Sequence, residues 1–148
     1  MNKIGDIKEL LIEKLEAMKN GDGDDLFGEV FGYAQGDFSK YPVAVVKPVG
    51  GRGQVIDTHR NERTFQFIIS LYQEQSQAGR TKQEADEIMT ECSDVILEEF
   101  DKDKTLGDEV EIVRVVEFDT DFRVAAGTFN FANFRVDCMV VVPNYDES

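Results

Sequence analysis

The sequence predicts an α+β fold: a mostly antiparallel sheet with two main helices packed on one face. Three observations predict it. Apolar residues recur at helical spacing in two segments, 4–19 and 81–103. Several short segments between and after them alternate or run in β-branched residues. The resulting order of helix, strands, helix, strands suits helices covering one face of a largely antiparallel sheet.

The opening helix places Ile4, Ile7, Leu10, Leu11, Leu15 and Met18 on one side and Lys and Glu on the other. Asn20 and Gly21 stop it. The next stretch, NGDGDDLFG, carries acidic residues at alternate positions. An EF-hand loop counted from Asn20 would need glycine at its sixth position and glutamate at its twelfth, but Asp25 and Phe31 stand there. The stretch is expected to be a solvated linker.

Residues 27–35 suggest a short strand interrupted by Gly28 and Gly32. Pro42 to Val49 reads as a central strand, with prolines at its ends where a missing donor is tolerated. It runs into GGRG. Residues 63–73 alternate, with Phe65, Phe67, Ile69 and Leu71 on one face and Thr64, Gln66 and Ser70 on the other.

Thr81 followed by Glu84 forms a capping-box pattern at the start of the second helix. Ala85, Ile88, Met89, Cys92, Val95, Ile96 and Phe100 make its apolar stripe. Strands are expected at about 109–118 and 128–142. In the latter the apolar phase is odd at Phe129 and Phe131 and even from Phe134 to Val142, which suggests a bulge near Asn133. The tail 143–148 is expected to be loose.

With 148 residues the chain suits a single domain over 1–148. At this size ~70% of the unfolded chain's surface is typically buried. Hydrophobic residues at 41% and charged residues at 31% fit a globular chain rather than a disordered one. The net charge of −14 repels duplex DNA at long range and argues against a phosphate-wrapping groove. Against this background residues 47–63 are locally basic: Lys47, Arg52, Arg60 and Arg63 against Asp57 and Glu62, 4 − 2 = +2. Cys92 and Cys138 fall in apolar periodic segments and read as buried thiols of a reducing compartment. No signal peptide or bilayer-length apolar run is seen, so the expectation is a soluble cytoplasmic product with no membrane partner.

Chemistry-bearing patterns are sparse. His59, the single histidine, lies in a polar stretch beside Arg60. There is no Cys-x-x-Cys for zinc, and GGRG lacks the lysine and the following helix of a phosphate loop. Glu117, Asp119 and Asp121 alternate, so a regular strand would aim all three carboxylates one way, as a divalent-metal hydrolase requires. An exposed strand end entering a turn, in a chain that is acidic everywhere, is the simpler reading of them. The expectation is no catalytic residue, no metal and no cofactor, and a compact core carrying polar loops that order on contact.

The order and punctuation resemble the tail terminator proteins of long-tailed bacteriophages. The features are the helix IKELLIEKLEAM, the segment FGEVFGYAQGDFSKYPVAVVKPVGG, the strand RTFQFIISLYQEQ, the helix EADEIMTECSDVILEEF and the closing strand FANFRVDCMVVV, spanning roughly residues 4–142. The resemblance implies a virion protein of the tail or neck, made in the host cytoplasm. It would form a homo-hexameric ring that caps the tail tube, stops its polymerisation and receives the head–tail connector protein. DNA would pass through the ring without specific binding. It also implies a mobile inter-strand loop at about 50–62, with Gly50, Gly51, Arg52, Gly53, His59 and Arg60 as interface residues. Another neck or head-completion protein, or a small metal-dependent hydrolase, is the alternative.

Overall fold

A computed structural model describes residues 3–33, 40–57, 59–74, 82–125 and 129–143. Two helices and five strands follow in the order α1 (Ile4–Glu16), β1 (Glu29–Phe31), β2 (Val43–Val55), β3 (Arg60–Glu74), α2 (Lys82–Lys102), β4 (Ile112–Ala125) and β5 (Phe129–Pro143). The strands form one sheet in the order β1-β2-β3-β5-β4, antiparallel except for the parallel β1–β2 pair. The α+β class with a mostly antiparallel sheet is as the sequence predicts.

The alternation in β3 sets the core. Phe67, Ile69 and Leu71 are fully buried and stand opposite Val136, Phe134 and Ala132 of β5. Val46 and Ala44 of β2 face Ile69 and Leu71 from the other side. These residues share one buried cluster with Ile7, Leu11 and Leu15 of α1 and with Met89, Cys92, Ile96 and Phe100 of α2. Ile4 begins the α1 stripe but remains 40% exposed.

Several local expectations are corrected. The acidic stretch after α1 is solvent-exposed, as expected of a solvated linker, but it folds back as a closed turn. The Asn20 side-chain carbonyl accepts the N–H groups of Asp22 and Asp24 at 2.9 and 3.0 Å, and Gly21 N–H donates to Glu91 of α2 at 3.1 Å. Short Asx-type bonds of this kind let a polar sequence fold back on itself. Leu26 and Phe27 then drop into the core.

The bulge expected near Asn133 is absent. β5 pairs with β3 without a shift from Phe129 to Pro143. Its core phase is even throughout because Asn130, not an apolar residue, fills the first inward position. Its Nδ2 donates to Asp86 of α2 at 2.6 Å. Phe131 lies on the opposite face and stacks on Tyr72, with ring centroids 6.3 Å apart. The irregularities lie in β4 instead, between Val115 and Glu117 and between Asp119 and Arg123.

The strands also run longer than the sequence suggests. β2 continues to Val55 instead of stopping at Val49, and β4 continues to Ala125. Pro143 closes β5, and the rest of the expected loose tail, like Thr81, lies outside the described residues.

Candidate functional site

The stretch expected to be an open loop, residues 50–62, is a β-hairpin arm whose inner strand, β3, also pairs with β5 along its length. Gly50 to Val55 pair with Gln66 to Asn61 in continuous antiparallel register. The loop expectation fails because glycine carries no side-chain periodicity, while the β3 partner across from it supplies a regular pairing surface. A register shift between Pro48 and Gly50 marks where β2 leaves the core. All of 47–55 is exposed, whereas Val43 to Val46 are buried.

Gly50 has φ +155°, beside that shift. At Gly51 a Cβ would stand 2.6 Å from the Thr64 carbonyl oxygen, so the two strands approach closely only because no side chain intervenes. The glycine amides are therefore committed to alternating strand directions. They do not converge as a phosphate cradle requires.

The tip is closed by Asp57. Its carboxylate accepts the N–H groups of His59 and Arg60 at 2.7 and 2.8 Å, and Nε and Nη2 of Arg60 at 3.2 and 3.1 Å. The His59 amide, then the Arg60 guanidinium, hold the Asp57 carboxyl below its ordinary value. Arg60 thus spends its charge within the arm. Arg52 has no comparable acid on its own strand. Val49, Val55 and Ile56 add exposed apolar surface, Val55 at 69%. A groove of about 310 Å³ runs between Ile4 and the arm, lined by Gly51, Gly53, Arg63 and Phe65.

Beyond the short β1 pairing at Val43–Val45, β2 has no strand neighbour on its outer side among the described residues. β4 forms the other sheet edge. The six residues expected at an interface all lie in that arm: four along the β2 stretch, His59 at the tip and Arg60 at the start of β3.

The acidic residues of β4 come together only in part. Glu117 and Asp119 line a shallow depression of about 210 Å³ with Ile68, Asn133 and Arg135. Glu117 is opposite Arg135 in register, and Asp119 is opposite Asn133. The register shift beginning after Asp119 breaks the simple alternation that would align Asp121 with them. Among the described residues no group of three His, Cys, Asp or Glu is placed to hold a metal ion. No helix among them is long and apolar enough to cross a membrane.

Two further features escaped sequence reasoning. One is the buried Gln73, side by side with Asn130 in register. The other is the Asp103 turn after α2, whose carboxylate accepts the Thr105 and Gly107 amides at 3.2 and 3.0 Å. Polar residues at such positions give no periodic signal. No protein-family model and no curated protein sequence matches this chain.

Proposed function

We propose that this chain is a structural assembly protein that closes into a ring on the end of a phage tail tube, stops the tube's growth and receives the head-side connector. The observation that carries the reading is the outer stretch of β2: a strand edge exposed from Lys47 to Val55 and backed by β3 and β5 of the packed sheet. An exposed strand edge is a ready template for pairing with another chain. The overall resemblance to tail terminators supplies the identity of the tube and the connector.

Mass photometry of the purified chain over rising concentration, alone and with purified tail tubes, tests the reading. The expected result is a closed ring, hexameric by the resemblance, and one ring at a tube end. A chain that stays monomeric in both settings, and leaves tube length unchanged, overturns it. Binding to connectors but never to tubes would transfer the assignment to a neck or head-completion protein.

The depression holding Glu117 and Asp119 is what favours the metal-hydrolase alternative. That alternative requires millimolar magnesium or manganese to raise the melting temperature by mass action, and Asp119→Asn to abolish the rise. The expected result is no shift with metal or chelator.

A further inference from the structure

We infer that the outer edge of β2 in one copy adds antiparallel to the outer edge of β4 in the next, so that neighbouring copies share one continuous sheet. The inference rests on the ring reading and names its contact. It starts from the two sheet edges, which differ in sequence and charge. A contact between unlike edges is head-to-tail, the kind that closes a cyclic ring.

Three geometric facts support the match. The first is direction. β2 is antiparallel to β3, β3 to β5 and β5 to β4, so β2 and β4 run oppositely. A second copy placed beyond β4 in the same orientation therefore presents β2 antiparallel to it.

The second is hydrogen bonding. Ile56 N–H donates to the Arg60 carbonyl at 3.0 Å, which fixes the alternation of the hairpin. Gln54 and Arg52 then bond toward β3, and the N–H and C=O groups of Gly51, Gly53 and Val55 point away from it. Two of these three outward residues are glycines, which place no side chain in the way of a neighbouring backbone.

The third is charge on a defined face. Lys47 lies opposite Ile68, and Arg52 opposite Thr64, four residues away on the same face of β3. Ile68 in turn lies opposite Arg135, and Arg135 opposite Glu117. Lys47, Arg52, Glu117 and Asp119 thus share one sheet face, with the cations on the β2 edge and the carboxylates toward the β4 edge. A neighbour set beside β4 without a slip brings Lys47 level with Glu117; sliding it along the edge by the four β3 residues that separate Ile68 from Thr64 brings Arg52 there instead, and carries the β1-covered stretch Val43–Val45 toward the end of β4.

The test is a charge swap in the full-length chain, read by mass photometry with melting temperature as the folding control. Arg52→Glu and Glu117→Arg should each raise the concentration needed for half-assembly at least fivefold. The double variant keeps the net charge of −14 and should return it close to wild type. Gly53→Pro, which removes an outward donor without removing a bond to β3, should also block assembly.

Wild-type rings that are indifferent to all these changes would overturn the edge pairing and leave the ring reading standing. Single variants that weaken assembly with no recovery in the double would likewise overturn the pairing of these two residues. A wild-type chain that forms no ring, alone or on tubes, would overturn the ring reading and this contact with it.

Discussion

Gly51 and Gly53 occupy the same strand two residues apart, yet a methyl group means different things at each. At Gly51 it would meet the Thr64 carbonyl oxygen at 2.6 Å, a backbone atom that cannot swing aside. At Gly53 the nearest atom is the Glu62 carbonyl oxygen at 3.8 Å, ordinary contact. Gly51→Ala should therefore destabilise by ~1–3 kcal/mol, the usual cost of forced overpacking. Gly53→Ala should be neutral or stabilise by ~0.4–1 kcal/mol through the unfolded chain. Denaturant midpoints of the two variants check this, and equal midpoints would sink the close-approach account. The sequence displays both glycines but cannot distinguish them, because the difference lies in what faces each from β3. The thiols are the opposite case, legible from apolar neighbours alone. Cys92 and Cys138 are buried, and burial, aided by adjacent Glu91 and Asp137, raises each from 9.0 to about 12. The folded chain holds these protons while the unfolded chain releases them above its ordinary value. Their contribution is therefore fully present below pH 9 and lost as pH rises toward 12. Stability should fall over that window, and a Cys92→Ala, Cys138→Ala double variant should show a flatter alkaline limb. Parallel limbs would contradict the burial.

Elements with strong periodicity were the legible part of the fold. The stripe of α2 and the alternation of β3 mark their buried faces correctly, since each follows from one repeating constraint. The places where the reading slipped are those where a polar residue occupies an inward position. Asn130 is the clearest. It is 1% exposed, and its amide donates to Asp86 near the start of α2. An asparagine inside an otherwise apolar strand looks like a phase break, and only the helix across from it explains why it is tolerated. That bond joins α2 to the end of β5, so removing the acceptor should matter beyond one side chain. Asp86→Ala should cost ~1.5–3 kcal/mol, the range for a hydrogen bond to a charged group. Adding Asn130→Leu should recover part of the loss, because both partners are then apolar. Chemical denaturation of the three variants measures the coupling. Strict additivity would show that the two residues stabilise the protein independently. The arm was illegible for a different reason: glycine, proline and charged residues give strand no local signature, and only pairing with β3 makes β2 extend to Val55.

At the scale of the whole molecule the governing quantity is charge, which is read directly from composition. Every subunit carries −14, so bringing copies together is opposed at long range. The contact proposed between β2 and β4 contains one exposed pairing of Arg52 with Glu117, and such pairs contribute ~0.2–1 kcal/mol. Backbone pairing along the strand edge and burial of Val55 and Ile56 are far less sensitive to salt. Two opposing salt effects therefore compete. Screening weakens the single ion pair slightly, and it weakens the mutual repulsion of whole subunits much more. Between ~10 mM and ~0.1 M salt the Debye length shrinks from about 30 Å to about 10 Å, less than the breadth of a subunit. Repulsion should lose most of its reach while the short-range contact survives. Assembly should accordingly strengthen over this range, with the half-assembly concentration falling several-fold in mass photometry. Arg52→Glu should still assemble worse than wild type at every salt concentration, since its local clash lies within the screening distance. If assembly weakens as salt rises, ion pairs rather than strand pairing hold the ring, and the edge-to-edge contact gives way to a purely electrostatic one.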